Sequence, residues 1–337
     1  MSNRYVLVQW NAHKKVYDLA IAFTVVAYLA VFVGIGMATH TPPSEFSPPV
    51  LLIRAFGSLA IVMLHIILSI GPLCRLDERF APLLYNRRHL GVAFFFVVLM
   101  HFVLVLGFYG GFGNTNPLSA VLAGTGGVPF EFFGFLAFLV FFLMAATSHD
   151  FWLANLGPRF WKALHMGVYV AYFLVILHVA LGPLQDKGSP LVASLLMAGA
   201  AWLGSLHIAA GQRERQADRE SLTHANWVDV CDVSEIPESR ARVVRVGDGE
   251  RIAVVRHNGN VTAVSNVCSH QGGPLGEGQV IDGCLTCPWH GYQYDPATGC
   301  SPPPYTEKVN TYEVRVEGSR VMLNPNPSGT SKEATDG

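Results

Sequence analysis

Up to residue 210 the apolar residues fall into six long runs, Tyr17–Ala38, Val50–Gly71, His89–Gly110, Phe130–Ser148, Trp161–Gly182 and Pro190–Ala210. A helix needs about 20 such residues to cross the hydrocarbon core of a bilayer, so the pattern predicts six transmembrane helices. Helix-breaking segments part them: Pro42-Pro43-Ser44, the arginine-rich loop at 75–88, Gly124–Val128 and Gly182–Pro190. From Asn226 the pattern shifts to short alternating stretches, Trp227–Val230, Ala241–Val246, Arg251–His257, Val261–Asn266, Thr311–Val316 and Arg320–Leu323. Turns at Gly247-Asp248-Gly249, His257-Asn258-Gly259 and Glu317-Gly318 separate these stretches, as in a small all-β domain. The expected fold is a multi-pass all-α membrane bundle over residues 1–210, a charged linker at 211–225, a small all-β domain at 226–325 and a disordered tail at 326–337.

Composition adds little to that picture, but the placement of charge adds much. The chain is 51% hydrophobic and only 14% charged, with a formal net charge of −1; soluble proteins average about 25% charged. Arg4, Lys14, Lys15, Arg75, Arg79, Arg87, Arg88, Arg159 and Lys162 fall on one side of the expected spans, while Arg54 and Lys187 fall near the other. The excess of cations marks the cytoplasmic side. Both termini and the β domain are therefore expected in the cytoplasm, with the bundle in the inner membrane. No basic stripe suggests nucleic acid, and the polar start from Met1 to Lys15 runs into a stretch too long for a cleavable leader.

The β domain carries Cys268-Ser269-His270, then sixteen residues, then Cys287-Pro288-Trp289-His290. Two thiolates and two imidazoles suit either zinc or an iron–sulfur cluster. Zinc fingers pair Cys with Cys and His with His along the chain, whereas here each loop offers one of each. That arrangement suits a [2Fe–2S] cluster with two Cys on one iron and two His on the other. The setting resembles the Rieske family in His270-Gln271-Gly272-Gly273-Pro274-Leu275, His290-Gly291-Tyr292-Gln293-Tyr294-Asp295 and the proline loop Pro302-Pro303-Pro304. The resemblance covers about a hundred residues. It implies that Cys268, His270, Cys287 and His290 hold the cluster. Rieske proteins of quinol-oxidising complexes have an extra disulfide-forming cysteine in each loop; Gly273 and Trp289 stand in those places here, and Tyr292 replaces a serine that donates to the cluster. The chain thus resembles the ferredoxin type that serves aromatic-ring dioxygenases, and fewer donors to sulfur imply a lower potential. A mononuclear iron oxygenase is not expected, since too little chain follows His290 for a second catalytic domain.

Ionisable groups inside a bilayer are costly and so are functional candidates. His89 and His101 lie at the start and middle of the third run, and His165 and His178 lie likewise in the fifth. The two runs are parallel, so His89 and His165 share a level near the cytoplasmic face, and His101 and His178 share a deeper one about 18–20 Å away. Two bis-histidine haems would suit those levels. Ideal geometry supports this only in part: the two histidines of each helix are rotated by about 120–140° about its axis, so the helices must bend or the pockets must face differently. His65, in the second run, is the alternative inner ligand to His89.

Arg87-Arg88, Leu90-Gly91, His101, Trp161, Leu164-His165, Tyr169 and His178 resemble the ferric reductase-like transmembrane family, over roughly residues 15–210. That resemblance implies b-type haem on His101, His165 and His178, with the inner ligand on the third helix variable. Relatives of this kind carry a flavin and nicotinamide module, but no Gly-rich dinucleotide fingerprint follows a strand here. The expected function is membrane electron transfer. A cytoplasmic reductase or flavoprotein would charge the cluster, and the haems would carry electrons outward to an unidentified acceptor. The alternatives are direct reduction of ferric iron, a quinone or a periplasmic protein, and a non-catalytic redox sensor.

Overall fold

The computed structural model describes residues 12–39, 48–80, 83, 87–110, 116–123, 130–148, 158–182, 190–219, 226–247, 249–270, 272–289, 291–303 and 305–329. The N-terminal part is helical: α1 (Ala12–Thr39), α2 (Pro48–Leu76), α3 (Arg87–Tyr109), the short α4 (Pro117–Ala123), α5 (Phe130–Ala146), α6 (Pro158–Met166), α7 (Val168–Leu181) and α8 (Pro190–Arg219). Five segments are long and apolar enough to cross a membrane, at 15–39, 48–76, 87–109, 160–181 and 192–216. The remaining expected span falls on α5, an apolar helix of 17 residues and shorter than the other five. It ends before Thr147 and Ser148, whose hydroxyls bond back to carbonyls one turn earlier.

Burial explains which helix is central. α2 packs against α1, α3 and α8, and α5 packs against α3 and α7. Their shared core holds Leu59, Met63, Leu64, Ile67, Phe94, Val97, Ala137, Phe141, Val168, Ala171 and Leu203. Phe94 meets Phe141 edge to face at 4.9 Å. α1 turns Val16, Leu19, Phe23, Val26, Val31 and Ile35 outward, which suits a helix facing lipid rather than water. α6 and α7 form one apolar segment joined at Gly167, where the ladder continues through a tighter bond from Gly167 N–H to the Leu164 carbonyl at 3.0 Å. A Cβ there would press on that carbonyl, so glycine suits this tightened turn.

α8 runs on to Arg219, so the first nine positions of the expected linker are helix, and residues 220–225 lie outside the described set. The C-terminal part is antiparallel β: β1 (Val228–Asp232), β2 (Arg240–Arg245), β3 (Arg251–His257), β4 (Asn260–Ser265), β5 (Gln279–Ile281), β6 (Cys284–Thr286), β7 (Gln293–Tyr294), β8 (Thr311–Glu317) and β9 (Arg320–Gly329). Six strands form one sheet in the order β1-β9-β8-β4-β3-β2, and β5-β6-β7 form a small second sheet. β9 continues to Gly329 because Thr311 and Tyr312 pair with its far end. The expected tail therefore starts too early at 326; residues 330–337 lie outside the described set.

Candidate cluster loops and an intramembrane histidine pair

The two loops singled out by sequence leave β4 and β6 and are folded alike. Gly272 N–H bonds to the Cys268 carbonyl at 2.7 Å and Cys268 N–H to the Gly273 carbonyl at 2.9 Å. In the second loop, Gly291 N–H bonds to the Cys287 carbonyl at 2.9 Å and Cys287 N–H to the Tyr292 carbonyl at 2.7 Å. Gly272 and Gly291 both have positive φ, 71° and 72°, a backbone state that costs other residues energy. The loops touch each other: a Cβ on Gly273 would stand 2.7 Å from Cys287 Sγ. Glycine at that place lets the backbone close on the sulfur where another Rieske subfamily has cysteine. None of the six cysteines is joined in a disulfide.

Cys268 and Cys287 are buried in the core beneath the small sheet, among Leu275, Leu285 and Tyr294. The His270 ring stacks on Tyr292 at 4.5 Å and 10°. His290 lies outside the described residues, and among the described residues no group of three or more potential ligands closes into one cage. What the structure brings together is two buried thiols on adjoining, identically pinned loops. That donor set fits a cluster anchored by sulfur on one iron, with imidazole on the other.

Sequence reasoning missed Tyr294. Its hydroxyl lies 3.3 Å from Cys268 Sγ, 3.2 Å from Ser269 Oγ and 3.3 Å from the His270 N–H. Burial first, and the neighbouring Cys268 sulfur second, push the phenol well above its ordinary pKa, so it stays protonated and able to donate. Its place four residues after His290, within the second cluster loop's motif, was the available signal.

In the bundle, His101 of α3 and His178 of α7 face each other with ring centroids 6.4 Å apart. His101 Nδ1 donates to the Ile53 carbonyl at 3.0 Å, and His178 Nδ1 donates to the Phe130 carbonyl at 2.9 Å. Both rings therefore keep Nε2 for another bond. A metal bound at about 2 Å by each of two imidazole nitrogens, each about 1.1 Å from its ring centre, separates the centroids by about 6.2 Å. The pair would suit a metal held between two imidazoles, with backbone carbonyls fixing tautomer and orientation. Glycines make room beside both rings: a Cβ on Gly57 would approach His101 Cε1 to 3.1 Å, and one on Gly134 would approach His178 Nδ1 to 2.7 Å.

The other histidines have separate partners. His89 Nδ1 donates to Asp18 Oδ1 at 2.8 Å. His165 Nδ1 donates to the Trp161 carbonyl at 3.0 Å, and its ring stacks on the Trp161 indole at 3.7 Å. His65 Nδ1 donates to Ile61, and its Nε2 accepts from the Tyr172 hydroxyl at 3.0 Å. The structure brings His101 to His178 but shows no ring contact of His89 with His165 among the described residues.

Two regions of the polypeptide also meet. Lys162 Nζ lies 5.7 Å from the Trp289 ring centre, which sets the second cluster loop beside the helix that carries Trp161 and His165. Glu214 Oε1 lies 3.7 Å from both Arg75 of α2 and Arg251 of β3. The β domain thus sits at the arginine-rich end of the bundle.

Comparison with known proteins agrees with both halves. Residues 226–313 match the Rieske [2Fe-2S] domain, and residues 55–176 match the ferric reductase like transmembrane component. The ferredoxin component of the naphthalene 1,2-dioxygenase/salicylate 5-hydroxylase systems of a Ralstonia species is 34% identical over 101 residues, 29% of this chain and 94% of that protein. The chain is a Rieske protein built onto a ferric reductase-like membrane domain. The alkene monooxygenase ferredoxin component of Xanthobacter autotrophicus is 32% identical over 109 residues, 32% of this chain and 88% of the relative. Among solved structures, the complex of reduced oxygenase and oxidized ferredoxin in carbazole 1,9a-dioxygenase matches at 25% identity, over 32% of this chain and 100% of that one, with a TM-score of 0.30. This Rieske membrane protein is an electron-transfer protein whose β domain supports a [2Fe–2S] cluster.

Proposed function

We propose that this chain conducts single electrons between a [2Fe–2S] cluster held by Cys268, His270, Cys287 and His290 and b-type haem held in the bundle by His101 and His178. Bound there, cluster and haem supply one-electron chemistry, and the protein supplies spacing and electrostatics. The observation that carries the reading is the 6.4 Å separation of the His101 and His178 rings, each with Nδ1 tied to a carbonyl. A second, inner haem would draw on His165 with His89 or His65. His165 is supported by its neighbourhood, one turn from the Lys162–Trp289 contact with the cluster loop. The Tyr172 bond to His65 Nε2 favours His89 over His65.

In this reading α5 is the sixth span, somewhat short but within the range of about 17–25 residues. The units are a haem-binding bundle over 1–210, a junction ending near 225 and the Rieske domain from 226. The cation-rich end, where that domain sits, lies in the cytoplasm by the positive-inside rule, with the bundle in the inner membrane. A soluble cytoplasmic reductase or flavoprotein then charges the cluster, as the ferredoxin nature of the relatives suggests. Electrons leave outward from the His101–His178 level to an acceptor beyond the far surface.

Optical and EPR spectra of the detergent-purified chain, with iron and haem counted per polypeptide, test this. The expected result is loss of the cluster signal with haem retained in Cys268→Ser, and loss of a low-spin haem with the cluster retained in His101→Ala and His178→Ala. Full haem stoichiometry in both histidine variants would sink the assignment.

A further inference from the structure

The first turn of α5 buries a carboxylate that none of the roles above uses. Glu131 is only 5% exposed in an otherwise apolar helix. The Tyr109 hydroxyl donates to its Oε1 at 2.6 Å, and Oε2 has no partner among the described residues. A hydroxyl that donates to a carboxylate oxygen makes a charge-assisted bond. The position favours an anion too, because the first turn of a helix carries the positive end of its dipole. A buried charge is otherwise expensive, so a carboxylate kept at this depth calls for a role.

Its surroundings suggest that role. The residue before it, Phe130, accepts the His178 Nδ1 bond through its carbonyl and sets its ring 5.4 Å from the His178 ring. Gly134, almost one turn on, backs directly onto His178. The turn that presents Glu131 is therefore the turn that cradles His178. Oxidation adds one positive charge to a metal held between His101 and His178. In a low-dielectric interior a nearby fixed anion stabilises the more positive state far more than it would in water.

We propose that Glu131, held in place by Tyr109, is the fixed negative charge that stabilises the oxidised state of the His101–His178 centre and so lowers its reduction potential. The inference rests on the haem reading above. It makes Glu131 a tuning residue that acts through charge, touching neither substrate nor acceptor. A lowered potential at that level makes the centre a readier electron donor toward the far surface.

The test is a spectroelectrochemical titration of the full-length chain in detergent, following the haem component that is absent in His178→Ala. At one pH, Glu131→Gln is expected to keep that haem at wild-type stoichiometry with its midpoint shifted upward. Glu131→Asp, which restores the charge, is expected to bring the midpoint back toward wild type. Tyr109→Phe, which keeps the carboxylate, should lie closer to wild type than Glu131→Gln does. An unmoved midpoint in Glu131→Gln overturns the proposal, and so do equal shifts in Gln and Asp, which would mark a packing effect. Loss of the haem in Glu131→Gln also overturns it, because that outcome assigns the residue to holding the site together. A wild-type chain without haem sinks the parent reading instead.

Discussion

The two candidate metal sites of this chain are built by opposite means. In the β domain the ligand candidates sit in two short loops, each closed by the same pair of backbone bonds and the same positive-φ glycine, at Gly272 and Gly291. In the bundle the candidates are single residues on two helices, and what orients them comes from two further helices through the carbonyls of Ile53 and Phe130. The first site is specified locally and the second by tertiary packing. A domain that carries its loops intact can be moved between proteins, whereas the histidine pair exists only while α2, α3, α5 and α7 are packed together.

The sharpest way to break the comparison is to crowd the bundle site, where no loop can give way. Gly134→Ala would place a methyl 2.7 Å from His178 Nδ1. Alanine gains up to about 1 kcal/mol in helix propensity, but overpacking costs about 1–3 kcal/mol. Overpacking should win, because the displaced atom is a ring nitrogen already bonded to Phe130 in the same turn. Lower haem occupancy is expected, with a smaller loss in Gly57→Ala, whose methyl would stop 3.1 Å from His101 Cε1. Gly204→Ala, which meets nothing within 4 Å, serves as the control and should leave occupancy unchanged. Equal occupancy in all three would show that the pocket is not set by packing.

The same contrast governs what could be read from sequence. The cluster loops were legible because Cys268, His270, Cys287 and His290 are close in the chain and their spacing is itself the signal. The long strands were legible from alternation, but β5, β6 and β7 were not, being two or three residues long and shaped by the loops they carry. In the bundle the helices and the His101–His178 level could be read from hydropathy and rise. The partners of His89 and His65 could not, because Asp18 and Tyr172 come from other helices. Glu131 was hidden by its own neighbours: in a run of phenylalanines a lone acid reads as an interruption until Tyr109 is seen to reach it.

A milder perturbation sharpens the view of the β domain. Fewer donors to sulfur were expected there, since Tyr292 replaces a donating serine, yet Tyr294 brings a hydroxyl to 3.3 Å from Cys268 Sγ. A hydrogen bond to a ligating sulfur spreads its negative charge and stabilises the reduced cluster. Tyr294→Phe should keep the cluster, lower its potential and cost about 1 kcal/mol of stability from one lost hydrogen bond. Tyr292→Phe, which keeps the ring stacked on His270, should lower the potential less. Voltammetry on both variants decides which tyrosine tunes the cluster, and an unchanged midpoint in Tyr294→Phe would remove it from that role.

The smallest effect belongs to the contact between the two regions and appears only in acid. Glu277 follows the first cluster loop, and its pKa is raised to about 6, chiefly by burial, with Glu214 adding to the rise while Arg75, Arg251 and Arg87 oppose it. Arg75, Arg87 and Glu214 belong to the bundle and Arg251 to the β domain, so the carboxyl titrates at the seam between them. A carboxyl whose folded value lies above its unfolded value of about 4.3 favours the folded state fully below that pH. The contribution is lost as the pH rises through about 6. Thermal unfolding in detergent should therefore show stability falling between roughly pH 4.3 and 6 and levelling above it. Glu277→Gln, neutral throughout, should flatten that slope while leaving both spectroscopic signatures intact. A slope that survives the substitution would assign the titration to another group.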